Sequence, residues 1–262
     1  MTGLEHVLRN AVRQRWLIVE LTKRELKLRY RNSFLGFLWT LANPLVFMVV
    51  YTLVFSYFLK IGTANYPAFL VTGLLPWMMW FSDSVTAGTS CLVDHGAFLR
   101  SSVFPSDVLP VVAVCTGMMN YIFALPVMLA LLLFFQIDLG WGILALPVVM
   151  ATQFLLTLGI VFLTSTINVF VRDMRYLIGH FLMIAVFMTP VMYDFSSLPG
   201  RFRGILALNP LAVIINSYRN IFFYNTWPSW KGLGCVALLA LVIIAGATQL
   251  FDRNREVFPE YL

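Results

Sequence analysis

Several stretches of this chain stay apolar over lengths that reach the ~20 residues a helix needs to cross a bilayer. Hydrophobic residues make up 60% of the 262 residues and charged residues only 11%, and the mean hydropathy is +0.83. A soluble domain of this size has no interior that could bury so much apolar surface. We therefore predict an all-α integral membrane protein that forms one domain over residues 1–262.

We predict six membrane-spanning helices within residues 35–251. Their approximate ranges are 37–59, 68–90, 108–135, 145–170, 177–194 and 232–251. Residues 1–34 are predicted to form a cytosolic segment with an amphipathic interface helix, and residues 252–262 a cytosolic tail. Pro126 and Pro147 fall inside predicted spans, where membrane helices tolerate proline. We expect no cleavable signal peptide, because about thirty more polar residues precede the first apolar run.

The positions of Lys and Arg set the orientation, since loops on the cytosolic side carry an excess of them. With a cytosolic N-terminus, thirteen lie inside: Arg9, Arg13, Arg15, Lys23, Arg24, Lys27, Arg29, Arg31, Arg100, Arg172, Arg175, Arg253 and Arg255. Five lie outside: Lys60, Arg201, Arg203, Arg219 and Lys231. Both termini are therefore predicted to be cytosolic.

Residues 195–230 are too apolar for a soluble loop and too long for a simple turn. Two short apolar pieces, 202–208 and 211–224, flank Asn209 and Pro210, and neither is long enough to span. We predict an outer re-entrant helical hairpin between the fifth and sixth spans. The alternative is a folded outer loop that lies on the membrane.

A basic amphipathic helix precedes the first span. Lys23, Lys27 and Arg31 recur at i, i+4 and i+8, which suits a helix at the membrane interface. A neighbouring apolar stripe is formed by Leu17, Leu21 and Leu28. The helix is either an orientation anchor or a site for a phosphate headgroup, because Lys and Arg give charge-assisted hydrogen bonds to phosphate oxygens.

The second predicted span carries small and polar residues in its lower half. Ser82, Thr86 and Ser90 share one face near Gly88, a pattern that favours either close helix packing or a wetted pathway. Asp83 lies well inside the span, where a charged group normally faces a partner or water. It is a functional candidate, and the alternative is a local partner at a helix junction.

Aromatic residues follow one face of the first span. Phe47, Tyr51, Phe55 and Phe58 recur along it, and Tyr193 belongs to another aromatic group near the outer hairpin. Belts of Trp and Tyr at the interface are one explanation. The other is a lining for a sugar polymer, because aromatic faces stack on sugar rings with little specificity.

Several chemistries are excluded by the sequence pattern. The chain has no Gly-x4-Gly-Lys-[Ser/Thr] phosphate loop, so it does not bind ATP in that manner. Its three His and three Cys residues show no metal-ligand spacing, and no cofactor, metal or nucleic acid is expected. Asp83 is nearly alone as a membrane carboxylate, which favours an external source of energy over a proton relay.

At the motif level the chain resembles ABC exporter permeases for polysaccharides, closest to O-antigen exporters of the Wzm type, with teichoic acid and capsule exporters as cousins. The similar segments occur in the family's order. They are residues 24–31, 35–39 with Pro44, 73–77, 168–173, 189–193, and Asn209 with Pro210.

This resemblance implies a homodimer of six-helix subunits in the bacterial inner membrane, bound to two copies of a cytosolic ATPase that holds ATP and Mg. The substrate would be a polysaccharide linked to undecaprenyl diphosphate. Lys27, Arg29 and Arg31 would hold the diphosphate, and Phe47, Tyr51, Phe55 and Tyr193 would line the glycan channel. The segment 92–104, with His95, Phe98 and Arg100, would couple to the ATPase, and Arg172 and Asp173 would lie near the same interface.

Three other functions stay open at this point. An exporter of small amphiphiles or drugs would use the same scaffold. A membrane enzyme acting on polyprenyl-linked sugars would need carboxylate pairs or an Asp cluster, which the sequence does not show. A scramblase would work without any partner.

Overall fold

The computed structural model describes residues 9–10, 12–30, 38–58, 60, 65–101, 104–195 and 199–262, which form helices and their connections. The helices, in chain order, are α1 (Arg15–Tyr30), α2 (Leu38–Thr52), α3 (Tyr66–Leu75), α4 (Asp83–Asp94), α5 (Gly96–Ser101), α6 (Val108–Phe134), α7 (Leu146–Phe170), α8 (Met174–Met188), α9 (Gly200–Ala207), α10 (Pro210–Phe222), α11 (Trp230–Asn254) and α12 (Phe258–Tyr261). The described ranges contain no β-strand, which confirms the all-α prediction for them.

Three of the described helical stretches are long and apolar enough to cross a membrane. They are Val108–Phe134, Trp141–Phe170 and Trp230–Asn254, of which the second includes a 3-10 turn over Trp141–Ala145. Ala42–Phe58 and Met174–Met188 are shorter apolar helices. The structure therefore supports a helical membrane protein, while the six-span topology stays a prediction.

The helix of the second predicted span is continuous but changes its winding. A π-helical segment, Pro76–Ser82, joins α3 to α4, so that helical backbone runs from residue 66 to 94. Pro76 has no N–H to donate, which interrupts the α-helical ladder at this point. Gln153 on α7 donates a hydrogen bond of 3.0 Å to the Pro76 carbonyl and so fixes the segment against α7.

Helix α4 packs between α6 and α7 through small residues. A Cβ added at Gly88 would lie 2.4 Å from Cγ1 of Val161 on α7. Similarly, a Cβ at Gly117 on α6 would lie 2.1 Å from the Ser84 hydroxyl on α4. Both glycines are needed because the helix backbones approach closely, as is usual between membrane helices. The small-residue pattern predicted from the sequence is thus used for packing at Gly88.

Helix α1 packs into an apolar cluster with α4, α7 and α11. Ile18 is buried with Leu92, Phe162 and Phe251, and Leu17 and Leu21 pack against the same cluster. Leu28, the third member of the predicted apolar stripe, is 45% exposed and lies outside this cluster.

One predicted helix end is corrected by the structure. The fifth span, predicted over 177–194, ends as α8 at Met188, because the residue before Pro190 is disfavoured in helical conformation. Pro147 lies inside the apolar stretch Trp141–Phe170, as predicted, and it occupies the first turn of α7, where its missing N–H would have no partner in any case.

Two short helices, α9 and α10, occupy the region predicted as an outer hairpin. The Asn209 side chain accepts a hydrogen bond of 3.0 Å from the Leu211 N–H, which caps α10, and donates one of 3.0 Å to the Met188 carbonyl. One side chain therefore joins the end of α8 to the start of α10. Whether the pair enters the membrane stays a prediction.

We predict that Gly88→Ala destabilises the protein by about 1–3 kcal/mol, the usual effect of overpacking. Val161 is fully buried and β-branched, so it has no room to rotate away from an added methyl group. Unfolding in detergent micelles measures the effect. Gly246→Ala on α11 is the control, because no atom lies within 4 Å of its added Cβ. Equal losses of stability in the two variants would contradict the close α4–α7 contact.

Candidate functional site

A groove of about 240 Å³ lies between α2, α8 and the long helix formed by α3, the π-helical segment and α4. Phe47 and Tyr51 form the α2 wall, and Leu182 and Val186 belong to the α8 wall. Trp77 lies on the floor. Two of the aromatic residues predicted to line a channel, Phe47 and Tyr51, therefore line a groove between the first and fifth predicted spans.

The floor of the groove also carries hydroxyl groups. Ser82 and Thr86, one helical turn apart, line it together with Trp77. The groove thus offers aromatic faces for stacking and hydroxyls that both donate and accept hydrogen bonds. The third residue of the predicted hydroxyl stripe, Ser90, lines a different cavity.

A row of aromatic rings leads from the groove into the protein. Its neighbouring ring centroids are 5.1–6.3 Å apart, within the range of favourable aromatic pairs. The row consists of Phe47, Tyr51, Phe55, Tyr66, Phe69, Phe223 and Tyr224. Phe55 therefore continues the row behind the groove rather than lining the groove itself.

Tyr193 is placed differently from the other predicted channel residues. Its hydroxyl donates a hydrogen bond of 2.9 Å to the Phe187 carbonyl, and its own carbonyl accepts one of 3.2 Å from Arg219. These contacts fix the non-helical turn after α8. Tyr193 is not among the groove-lining residues.

Arg219 on α10 is a buried charge that the orientation count had placed on the outer side. It is 1% exposed, and its guanidinium carbon lies 3.7 Å from the centre of the Phe69 ring. The guanidinium also donates hydrogen bonds to the carbonyls of Pro190 and Val191. The backbone carbonyls after the end of α8, which have no helical N–H partner, therefore accept hydrogen bonds from this side chain.

On the predicted cytosolic side, ion pairs tie α1 to the membrane helices. Nη1 of Arg29 lies 2.6 Å from Oδ2 of Asp83, and the Asn120 amide on α6 donates to the same oxygen at 3.3 Å. Oε1 of Glu25 lies 3.6 Å from Nε2 of His95. Asp83 thus has the local partner at a helix junction that the sequence analysis gave as an alternative.

A cavity of about 290 Å³ lies between these two ion pairs, bounded by α1, α4 and α6. Arg29, Glu25, Asp94 and His95 contribute charged or ionisable groups, and Ser90 a hydroxyl. Since carboxylates line the cavity and Arg29 is paired with Asp83, its electrostatic character is unfavourable for a diphosphate.

The other side of α1 is more suitable for an anion. A shallow open depression of about 470 Å³ is lined by Glu20, Lys23, Arg24 and Lys27. The Lys23 ammonium donates a hydrogen bond of 2.8 Å to Glu20, which holds the pKa of that carboxyl below its usual value. Arg31, predicted as a third diphosphate ligand, lies outside the described residues.

The residues predicted to face an ATPase lie on two exposed elements. Phe98 and Arg100 are exposed on α5, and His95 is half-buried at the junction of α4 and α5. Arg172 and Asp173 are exposed in the turn between α7 and α8. A cation–π contact of 5.9 Å joins Arg24 to the Phe98 ring, so that α1 also contacts α5.

Among the described residues, no group of three or more His, Cys, Asp or Glu side chains is close enough to hold a metal ion. The three cysteines are unpaired thiols, and Cys91 is buried while Cys235 is exposed. The described part of the chain therefore offers no metal centre on which to build a reaction.

Comparison with known proteins identifies the family. The sequence model of the ABC-2 type transporter family matches residues 17–223. The O-antigen export system permease protein RfbA of Myxococcus xanthus is 37% identical over 97% of this chain and 98% of its own length. The chain belongs to the ABC-2 type transporter family. RfbA of Klebsiella pneumoniae is 30% identical over 94% of this chain, and the polysialic acid transport protein KpsM of Escherichia coli 22% over 93%; each match covers 95% of the relative.

The resemblance seen in the motifs is thus confirmed, and the structure shows how this ABC-2 transporter arranges them. Two contacts were missed from the sequence, namely Arg29 with Asp83 and Arg219 with the turn after α8. Arg219 did leave a signal, since it is one charged residue within the apolar helix α10. Its partners are backbone carbonyls, which no residue pattern reveals.

We predict that Arg29→Gln and Asp83→Asn each lower the free energy of unfolding by about 1–2 kcal/mol, between the values for exposed and buried ion pairs. In a double-mutant cycle the two changes should couple by about 1 kcal/mol. Glu20→Gln with Lys23→Gln is the matched control, because that pair is more exposed and should show no measurable coupling. Equal coupling in the two cycles would argue against a specific tie between α1 and α4.

We also predict that Arg219→Lys lowers the free energy of unfolding by about 2–3 kcal/mol, because an ammonium cannot reach several carbonyls and stack on a ring at once. Thermal unfolding of the purified protein measures this loss. Arg201→Lys, an exposed substitution on α9, should leave the midpoint unchanged. If both variants unfold at the same temperature as the parent, Arg219 does not hold the turn.

Proposed function

We propose that this protein is the membrane subunit of an ABC exporter that moves O antigen, linked to undecaprenyl diphosphate, from the cytosol across the bacterial inner membrane. The observation that carries the proposal is the near full-length similarity to O-antigen export permeases in two organisms. A separate cytosolic ATPase, which binds ATP and Mg, supplies the energy. The groove, the basic face of α1 and the exposed cytosolic elements each support one part of this function.

The groove suits a glycan chain. Phe47 and Tyr51 present aromatic faces to the apolar faces of sugar rings, while Ser82 and Thr86 offer hydrogen bonds to sugar hydroxyls. Neither the stacking contacts nor the hydrogen bonds require one particular sugar. A polymer of varying composition can therefore slide past them.

A second copy of the chain would close the open side of the groove. Leu177, Phe181, Ile184 and Met188 recur at helical spacing on α8, and each is more than half exposed. In a bilayer such a face contacts either lipid or another helix. We assign it to the homodimer, in which α2 and α8 of two protomers would enclose the channel.

The diphosphate would bind on the basic face of α1, which points away from the cavity beside Asp83. Lys23, Arg24 and Lys27 line one depression there, and Arg31 follows at the helical spacing of Lys23 and Lys27. Each basic residue near an anionic surface adds about 1 kcal/mol of attraction. Arg29 would instead hold α1 in place through Asp83.

The ATPase would dock on α5 and the turn between α7 and α8. Phe98, Arg100, Arg172 and Asp173 are all exposed there. With this side in the cytosol, both termini are cytosolic, and α9 and α10 form the re-entrant hairpin at the outer side of a six-span topology. Two ATPase copies per homodimer complete the complex.

A second candidate is an exporter of small amphiphiles. Met78, Met183 and Met192 also line the groove, and thioether side chains adapt to apolar molecules of different shape. Export of capsule or teichoic acid polymers is a variant of the main proposal, and the similarity to KpsM is consistent with it.

Depletion of the protein in its native host tests the proposal, with the lipid-linked polysaccharide then located inside the cell or at its surface. Glycan that accumulates in the cytosol beneath a bare surface is the expected result. Normal surface glycan would overturn the proposal, and resistance to amphiphiles should then be compared between depleted and normal cells.

We predict that Tyr51→Ala combined with Phe55→Ala reduces surface glycan by about tenfold, since the first change removes a stacking contact worth about 1 kcal/mol and the second removes the ring that supports Tyr51 from behind. ATPase subunits should still copurify with this variant. Phe134→Ala is the control, because Phe134 is an exposed aromatic residue outside the groove and the aromatic row. Unchanged surface glycan in the double variant would rule out a channel along this aromatic row.

A further inference from the structure

The segment 258–262 folds back onto the cytosolic ends of the membrane helices. Phe258 is 1% exposed, and its ring centroid lies 5.1 Å from Phe251 on α11 and 6.2 Å from Phe170 at the end of α7. Tyr261 adds a ring contact of 5.0 Å with Phe170. The segment is therefore packed as part of the core.

The same segment supports α5. A Cβ built on Gly96 would lie 3.2 Å from the Leu262 Cβ and 3.8 Å from its carbonyl oxygen. Leu99 of α5 is buried in the same apolar cluster as Phe258, and Leu262 packs against that cluster. Gly96 is thus a position of close contact between α5 and the 258–262 segment.

Helix α5 needs such external support because it has only six residues, and a helix of that length is unstable on its own. One support comes from α1, through Glu25 with His95 and Arg24 with Phe98. These contacts are polar and partly exposed. The contact with Phe258 and Leu262 is apolar, and it connects α5 to α7 just before the exposed turn at Arg172 and Asp173.

From these contacts we infer that the 258–262 segment is a positioning element that keeps α5 and the turn between α7 and α8 in fixed relation, so that the two move as one unit when the ATPase moves. This inference rests on the proposed function, in which both elements face the ATPase. The residues that carry it are Phe258 and Leu262, and Gly96 is their contact point on α5. Without the segment, the ATPase would still bind and hydrolyse ATP, but its motion would reach only one of the two elements.

The test uses the full complex of the protein with its ATPase. Phe258→Ala should leave copurification and ATP hydrolysis close to normal while surface glycan falls by about tenfold, within the usual range of coupling between two sites. Phe258→Leu, which keeps an apolar contact at this position, should export glycan at close to the level of the parent protein. Glu260→Ala, an exposed change in the same segment, is the control and should have no effect. A loss of export that only parallels a loss of assembled complex would overturn the inference, since it would show a purely structural role.

A cross-link provides a measurement that does not depend on removing a core side chain. Gly96→Cys with Leu262→Cys, in a protein whose Cys91, Cys115 and Cys235 are replaced by Ala, places two Cβ atoms 3.2 Å apart, a few tenths of an ångström closer than the roughly 3.5–4.5 Å that a disulfide spans, so a small shift lets the bond form. In proteoliposomes, oxidation should leave transport of the lipid-linked glycan unchanged, because α5 and the segment move together. Transport that stops on oxidation and returns on reduction would show that they must separate, which contradicts the inference.

The two proposals fail in different ways. If no ATPase copurifies with the parent protein, or if depletion leaves surface glycan normal, the proposed function is wrong. If both results are as expected but Phe258→Ala exports normally, only the role of the 258–262 segment is wrong.

Discussion

The close packing of α4 between α6 and α7 determines where both candidate sites lie. Gly88 and Gly117 allow the backbones to approach, and a Cβ added at either position would lie 2.4 Å or less from a side-chain atom of the facing helix. With α4 held in this way, Ser82 and Thr86 form the floor of the groove, and Asp83 faces Arg29 on α1. The same helix ends at His95, where α5 begins. A small shift of α4 would therefore move the groove, the attachment of α1 and the start of α5 together.

At the other end of the molecule, one buried cation replaces the hydrogen bonds that a helix would have supplied. Helix α8 stops at Met188, and the following carbonyls would be unsatisfied in an apolar environment. Arg219 reaches them from α10 while its guanidinium rests on Phe69. Aromatic stacking offsets part of the desolvation of the charge. The aromatic row, α10 and the turn after α8 are thus joined at a single residue.

The sequence predicted the helical class, most helix positions and the side of α2 that faces the groove, because these depend on apolar length and periodicity. It also singled out Asp83, since a carboxylate inside a span is costly and normally faces a partner or water. It did not reveal Arg29 as its partner: the pair is separated by fifty-four positions, and Arg29 looked equivalent to its basic neighbours. Likewise, Arg219 was counted only as a charge on the outer side, since the backbone carbonyls that it contacts leave no mark in the residue pattern. Pairings between distant elements depend on packing, which periodicity does not encode.

The two candidate sites are connected by one turn of helix. Thr86 lines the groove and Ser90 lines the cavity beside α1, and four residues of α4 separate them by about 6 Å along the axis. The cavity lies between the two ion pairs that hold α1, so any movement of α1 or α5 changes the surroundings of α4 there. Because α4 is packed against rigid helices on two sides, it transmits such a change as a displacement rather than absorbing it by bending. In the proposed function, motion of an ATPase bound to α5 would cross only this turn of α4 before it reaches the groove. The same helix carries Gly88, where an added Cβ would lie 2.4 Å from Cγ1 of Val161.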